Sequence, residues 1–125
     1  MAKKILIIDD DPVIVTYLET ILKDNGYETL GASSSSEGLE TIQHEKPDMI
    51  TLDLQMPEEW GPRFYRKLTK NKNFKDIPVL VISGLSSITY SIPKAVGFLN
   101  KPFNPEELLR IVQNTIGNPD TEESR

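Results

Sequence analysis

The feature that most constrains how this chain folds is its alternation of strand-like apolar runs with amphipathic stretches. The runs predict strands over residues 4–8, 27–32, 49–54, 77–82 and 97–100. Apolar stripes at helical spacing predict helices from Pro12 to a stop at Asn25, over residues 37–45 and 61–70, and from Pro105 to Ile116. This alternation indicates an α/β domain, in which a parallel sheet carries helices on both faces.

Length and composition are those of an ordinary globular domain. The 125 residues suit a single core, and the longest aliphatic runs are far shorter than the roughly 20 residues that cross a bilayer. We expect one domain over residues 1–117, followed by a mobile tail or the start of a linker over residues 118–125. Because the chain has no cysteine and no leader-like segment, a cytoplasmic location is the default expectation.

The charge of the chain argues against one class of partner. The formal net charge is -5, which does not favour a general nucleic-acid-binding surface. The exception is a basic run from Arg63 to Lys75, which has six Lys or Arg residues and is followed by a single acid, Asp76. Exposed helix faces are usually charged, so the simplest interpretation of this run is a solvated surface.

Polar residues stand where the predicted strands end. Asp9 and Asp10 follow the first strand. Asp53, Ser83 and Lys101 stand at the ends of the third, fourth and fifth strands, respectively. Ligand sites in an open parallel sheet form beyond the carboxyl ends of the strands. We therefore expect these five side chains to converge at one edge of the sheet.

Acids crowded at such an edge need a counter-charge. Two carboxylates about 4 Å apart repel by roughly 4 kcal/mol at an effective dielectric of 20, and a bound Mg²⁺, which prefers oxygen ligands, would offset that cost. Lys101 adds a compact ammonium suited to a phosphate group. Asp11 has a simpler role, because its position before a proline is typical of a helix cap. A purely structural interpretation of Asp9 and Asp10 leaves Asp53 unexplained.

Four motifs, taken in order, point to a family. The segments ILIIDDDP, ITLDLQMP, VLVISG and GFLNKPF resemble the receiver domain of two-component response regulators and together span nearly the whole chain. The resemblance implies a flavodoxin-like, doubly wound sheet of five parallel strands in the order 2-1-3-4-5. It also implies a signalling switch rather than an enzyme. A sensor histidine kinase or a phosphotransfer protein would phosphorylate it, and a downstream effector domain or protein would read the change.

The resemblance assigns metal and phosphate roles to individual residues. Asp53 matches the phosphoacceptor of the family. Asp10, Asp53 and the backbone carbonyl of Gln55 would hold Mg²⁺, and Asp9 would contribute through a bound water.

Further positions match the phosphate-sensing and switch residues of the family. Ser83 would hydrogen-bond the phosphoryl group, and Lys101 would pair with it. Phe98 matches the aromatic switch position, which would change together with Ser83. The bond between Lys101 and Pro102 would be cis, which is physically reasonable because X-Pro bonds have only a small trans preference.

One segment departs from the family pattern. Residues 85–96, LSSITYSIPKAV, should hold the helix between the fourth and fifth strands, yet they include Pro93 and several β-branched residues. A proline inside a helix costs about 3 kcal/mol. We therefore predict a shortened or distorted fourth helix, or none, which puts the usual output surface of the family in doubt.

Three other functions share part of this residue pattern. A phosphohydrolase of the haloacid dehalogenase type needs a second acid two residues after its nucleophile, where this chain has Gln55. A flavin- or nucleotide-binding domain needs a glycine-rich loop after the first strand, where Asp10, Asp11 and Pro12 stand instead. The alternative that stays open is a degenerate receiver, which would bind partners without being phosphorylated.

Overall fold

The computed structural model describes residues 2–54, 61–84 and 94–119 of the chain. These residues form five strands: β1 (Lys4–Ile8), β2 (Glu28–Ala32), β3 (Met49–Leu52), β4 (Val79–Ser83) and β5 (Gly97–Asn100). They also form four helices: α1 (Pro12–Asp24), α2 (Ser35–Glu45), α3 (Gly61–Lys70) and α4 (Pro105–Ile116). None of these described helices combines the length and the apolar character that spanning a membrane requires.

The strands form one parallel sheet in the order β2-β1-β3-β4-β5. The predicted order 2-1-3-4-5 is therefore confirmed. β1 lies between β2 and β3, so Ile8 is aligned with Ala32 on one side and with Leu52 on the other. The chain reverses its direction across the sheet between β1 and β3, and the carboxyl ends of these two strands lie together at that point.

The side chains of β1 alternate between two apolar cores, one on each face of the sheet. Leu6 and Ile8 belong to the core that α2 and α3 cover. Ile5 and Ile7 belong to the core that α1 and α4 cover. All four are almost completely buried. A strand that is covered on both faces needs apolar residues at every position, which is why β1 is a continuous apolar run.

The predicted start of α2 was wrong by two residues. The helix begins at Ser35 rather than at residue 37. The side chain of Ser34 accepts a hydrogen bond from the backbone N–H of Glu37 at 3.1 Å and so caps the helix at an earlier point.

Both β2 and β4 begin later than predicted. The N–H groups of Tyr27 and Ile77 each donate a hydrogen bond at 3.1 Å to a carbonyl of the preceding helix or turn. These residues therefore complete turns before their strands begin. At the other end, β3 stops at Leu52 rather than at residue 54, and β4 runs on through Ser83.

The helix between β4 and β5 was expected within residues 85–96, of which residues 85–93 lie outside the described ranges and residues 94–96 are not helical. Its shortening or distortion therefore stays a prediction. Where the description resumes, the N–H of Val96 donates to the carbonyl of Val79 at 2.9 Å. This hydrogen bond starts the pairing of β5 with β4.

The chain after α4 is held against the start of β1. The N–H of Lys3 donates to the carbonyl of Pro119 at 3.0 Å, and the hydroxyl of Tyr27 donates to the carbonyl of Gly117 at 2.8 Å. Burial raises the pKa of the Tyr27 hydroxyl. The contacts of the domain thus reach two residues past the boundary predicted at residue 117, and residues 120–125 lie outside the described ranges.

Gly38 of α2 stands where the core leaves no room for a side chain. A Cβ there would lie 2.8 Å from Cδ1 of Ile8 and 3.6 Å from Cε1 of Phe64, which are both buried. Overpacking costs about 1–3 kcal/mol, whereas replacing a helical glycine with alanine gains about 1 kcal/mol. We expect Gly38→Ala to lower the free energy of unfolding in urea by about 1 kcal/mol. Gly84→Ala is the spatial control, because a Cβ there would meet no atom of the described residues within 4 Å. A stabilised Gly38→Ala protein would contradict the packing argument.

Candidate functional site

Backbone hydrogen bonds place the acids of β1 and β3 side by side. The N–H of Asp9 donates to the carbonyl of Ala32 at 3.1 Å, and the N–H of Asp53 donates to the carbonyl of Ile8 at 3.0 Å. The hydrogen bonding of the sheet thus continues one residue past each strand. The sheet itself therefore fixes Asp9 and Asp53 at its carboxyl edge.

Three carboxyl groups meet at this edge. One oxygen from each of Asp9, Asp10 and Asp53 lies within 4.8 Å of the other two. Asp9 is 3% exposed and Asp53 is 5% exposed, whereas Asp10 is exposed. The acid cluster, as we call these three residues, therefore has two buried members and one member open to solvent.

Lys101 supplies a counter-charge to the acid cluster. Its Nζ donates a hydrogen bond to Oδ2 of Asp9 at 2.8 Å and lies 3.8 Å from Oδ2 of Asp53. A buried carboxylate without a partner costs several kcal/mol, so this ion pair offsets part of the cost of burying Asp9. One ammonium against three ionised carboxylates still leaves a local formal charge of -2.

Pairing between β4 and β5 brings Ser83 and Lys101 to the same edge. Ser83 ends β4 and is 2% exposed, and its carbonyl accepts a hydrogen bond from the N–H of Lys101 at 3.0 Å. The peptide bond between Lys101 and Pro102 is cis, as the resemblance implied. The action of the Ser83 hydroxyl on a phosphoryl group stays a prediction.

Phe98 lies on the outer strand of the sheet. It is aligned with Val81 of β4, and 38% of its surface is exposed, whereas the next residue, Leu99, is buried. The aromatic ring thus lies at the surface of the domain. The inward turn that the predicted switch role requires would start from this outward position.

Asp11 is separate from the acid cluster. Its Oδ1 accepts a hydrogen bond from the N–H of Val13 at 3.0 Å, so it caps α1 as predicted. Its own N–H donates to Oδ1 of Asp9 at 2.9 Å and helps to orient that carboxylate. Gln55, whose backbone carbonyl is predicted to bind metal, lies outside the described ranges.

The ion pair between Lys101 and Asp9 was not predicted from the sequence. Asp9 was expected to act only through a water on the metal, and Lys101 only on the phosphoryl group. The two residues are 92 positions apart, and a pairing over that separation leaves no signal in residue spacing. The one available signal was an acid directly after a buried apolar strand, since a buried charge needs a partner nearby.

The acid cluster suits a hard divalent cation. Mg²⁺ takes oxygen ligands and is usually held by one or two carboxylates together with retained waters. The cluster offers one exposed and two buried carboxylates around a single point. The remaining local charge of -2 also favours a divalent ion. The donor set therefore fits Mg²⁺.

Comparison with known proteins assigns the family. A family model, the response regulator receiver domain, matches residues 5–113. The chain is 33% identical to Protein Rrf1 of Nitratidesulfovibrio vulgaris over 97% of this chain and 91% of that protein. It is also 33% identical to the alkaline phosphatase synthesis transcriptional regulatory protein PhoP of Bacillus subtilis, but there it spans only 46% of the relative.

The fold agrees with the sequence match. The chemotaxis protein CheY4 of Vibrio cholerae superposes with a TM-score of 0.85 at 30% identity, over 92% of this chain and 99% of the other. Both chains thus share one architecture over almost their whole lengths. The chain belongs to the family of receiver domains of two-component response regulators.

Proposed function

We propose that this domain is a phosphorylation-activated switch in which Asp53 accepts a phosphoryl group in a Mg²⁺-dependent reaction. The position of Asp53 supports this most directly. Its carboxylate is 5% exposed, lies 3.8 Å from Nζ of Lys101, and shares the acid cluster with Asp9 and Asp10. A carboxylate held between a cation-binding group and an ammonium has the surroundings that a phosphoryl acceptor needs.

Asp10, Asp53 and the backbone carbonyl of Gln55 would hold the Mg²⁺, and Asp9 would contribute through a bound water. When bound, the ion neutralises negative charge on the oxygens of the phosphoryl group. Asp9 is well placed for this role, because Lys101 and the N–H of Asp11 hold its carboxylate in one orientation.

Asp53 would attack without a separate base, because a carboxylate is already ionised at neutral pH. One of its oxygens forms a bond to phosphorus, while the P–N bond to the histidine of the donor breaks and the electron pair stays on the ring nitrogen. The ammonium of Lys101 would stabilise the negative oxygens of the transferred group. The hydroxyl of Ser83 would donate a hydrogen bond to them.

The acyl phosphate would then change the surface beside β5. It carries about -1.5 to -2 units of charge where the carboxylate of Asp53 carried -1. Ser83 would move to hydrogen-bond this group, and Phe98 would turn inward in response. The donor would be a sensor histidine kinase or a phosphotransfer protein. A downstream effector domain or protein would recognise the changed surface. The cytoplasmic location predicted from the sequence is part of this proposal.

Incubation with acetyl phosphate, a small acyl-phosphate donor, tests the proposed function. Intact mass is measured with Mg²⁺ and with excess EDTA, and we expect the gain of one phosphoryl group with Mg²⁺ and none with EDTA. No gain under either condition would overturn the proposal in favour of a degenerate receiver. Steady hydrolysis of unrelated phosphate esters would overturn it in favour of an enzyme.

Mg²⁺ should stabilise the folded protein, and Asp10→Asn should weaken this effect. An ion that binds only the native state at 100 times its Kd adds about 2.7 kcal/mol of stability. Asp10 is exposed, so asparagine should leave the fold intact while Mg²⁺ binds at least about tenfold more weakly. The measurement is Tm across a Mg²⁺ titration. Asp11→Asn keeps its helix cap and should behave as wild type, and an equal Mg²⁺ response in all three proteins would contradict the ligand assignment.

A further inference from the structure

A basic stripe runs along the exposed face of α3. Its members follow the spacing i, i+3, i+4 and i+7 and are all exposed: Arg63, Arg66, Lys67 and Lys70. The opposite face carries Phe64 and Leu68, which are buried. Like charges three or four residues apart destabilise a helix, and α3 itself contains no acid. A solvated face of mixed charge would not have this cost.

Positive charge is concentrated at this surface. The basic run continues past α3 with the exposed Lys72 and Lys75, so residues 63–75 carry six basic residues and no acid. The rest of the chain holds the other 8 basic residues against 19 acids, a formal charge of -11. The nearest acids before the run, Glu58 and Glu59, lie outside the described ranges. The stripe and the two lysines that follow it are therefore a basic region of a chain that is acidic over its other residues.

A groove lies where the turn after α3 meets the end of α2. Its volume is about 540 Å³, and it is lined by Gln43, Lys46, Pro47, Asn73, Phe74 and Ile77. Phe74 and Ile77 are partly buried apolar residues, whereas Lys46 is exposed. Lys72 and Lys75 flank this part of the turn in the sequence. The groove thus combines apolar and polar lining residues with one lysine and has the size of a binding pocket.

We propose that the stripe and the groove together form a docking surface for an acidic segment of a partner protein that carries a large apolar side chain. Acidic side chains of the segment would pair with the stripe. The apolar side chain would enter the groove against Phe74 and Ile77. The groove adjoins the strand starts near residues 47 and 77, whereas the acid cluster follows strand ends. Docking here is therefore independent of the proposed phosphorylation of Asp53.

The charge of the rest of the protein decides which class of anion fits. Duplex DNA or an anionic membrane extends over a wide area and would also be repelled by the rest of the chain, whose formal charge is -11. A short segment feels mainly the charges within about 10 Å at 0.1 M salt. The stripe spans seven residue steps at about 1.5 Å each, or roughly 10 Å, which is the scale of a short peptide. Phe74 and Ile77 in the groove add an apolar contact that a phosphate backbone does not use.

A labelled peptide tests the charge contribution. The probe is a fluorescein-labelled peptide of roughly ten residues, made of glutamate with one central tryptophan, and its binding to the unphosphorylated full chain is followed by fluorescence anisotropy at about 0.15 M salt. We expect the double variant Arg66→Gln/Lys70→Gln to bind it roughly three- to tenfold more weakly. Lys67 is left unchanged because it already has an interaction partner. Lys23→Gln/Arg110→Gln changes the charge equally at exposed positions elsewhere and should bind as wild type.

A second variant tests the groove. Gln43→Trp fills the groove from an exposed helix position and should weaken binding of the tryptophan peptide but not of an all-glutamate peptide. Absence of peptide binding, or an equal loss in the two double variants, overturns the proposal. So does tighter binding to duplex DNA or to phosphatidylserine vesicles than to the peptide. The acetyl phosphate experiment is separate, so either proposal can fail without the other.

Discussion

Asp53→Asn should abolish the gain of a phosphoryl group from acetyl phosphate in the presence of Mg²⁺. Asparagine keeps the size of the side chain, but its amide is not a nucleophile, so no acyl phosphate forms. Because Asp53 is only 5% exposed, a side chain of the same shape should preserve the packing around it. The measurement is intact mass after equal incubation of the variant and wild type, and the expected loss is complete.

The stability of Asp53→Asn distinguishes lost chemistry from lost folding. The substitution removes the negative charge of Asp53, which is repelled by Asp9 and Asp10 and attracted by Lys101. The repulsion by two carboxylates is larger than the attraction by one ammonium. Without Mg²⁺, the free energy of unfolding should therefore rise by about 1–3 kcal/mol. Asp11→Asn, outside the acid cluster, should retain both wild-type stability and the phosphoryl gain. An Asp53→Asn protein that still gains the group would contradict the assignment of the acceptor.

Lys101→Met should be strongly destabilising when Mg²⁺ is absent. The ammonium lies 2.8 Å from Asp9, which is 3% exposed, so its removal leaves a buried carboxylate without its partner. Breaking a buried ion pair in this way costs about 3–5 kcal/mol. Lys101 itself is 23% exposed, and solvent screening lowers the expected loss to about 2–4 kcal/mol. Urea denaturation in EDTA measures this change.

A double-mutant cycle with Asp9→Asn isolates the ion pair. When Asp9 is neutral, Lys101→Met should cost clearly less, about 1–2 kcal/mol, because the closest carboxylate is then uncharged and the ammonium is lost only from the more distant Asp53, at 3.8 Å. Lys4→Met is the surface control, since Lys4 pairs with the exposed Glu45 at 3.3 Å and such pairs contribute about 0–1 kcal/mol. If Lys101→Met cost the same with and without the Asp9 charge, the ion pair would not be what stabilises this edge.

Most of the fold follows from local signals in the sequence. β1 and β3 are covered on both faces; β1 is a continuous apolar run and β3 is apolar except for Thr51, so both were predictable as central strands. α1 and α4 were predictable at their starts, because Asp11 and Asn104 each cap a helix directly before a proline. The start of α2 was not predictable, because residues 33–36 are all serine and each of them is an acceptable cap. The close packing of Gly38 against Ile8 is tertiary information that such a run does not contain.

The candidate site also has one feature that the sequence predicts and one that depends on tertiary contacts. Its position was predictable, because strand order alone brings the ends of β1 and β3 to one edge. The partner of Lys101 in the absence of phosphate was not predictable, because the pairing depends on which carboxylate is nearest to the ammonium in three dimensions. Asp9 is nearer at 2.8 Å, and Asp53 lies at 3.8 Å.

The measurement that tests the central claim most directly is the position of the phosphorylated residue. Borohydride reduces an aspartyl phosphate to homoserine, and peptide mass mapping then locates the converted residue. After incubation with acetyl phosphate and Mg²⁺, we predict homoserine at position 53 and intact aspartate at Asp9 and Asp10. Homoserine at either of those two positions, with Asp53 unchanged, would contradict the account.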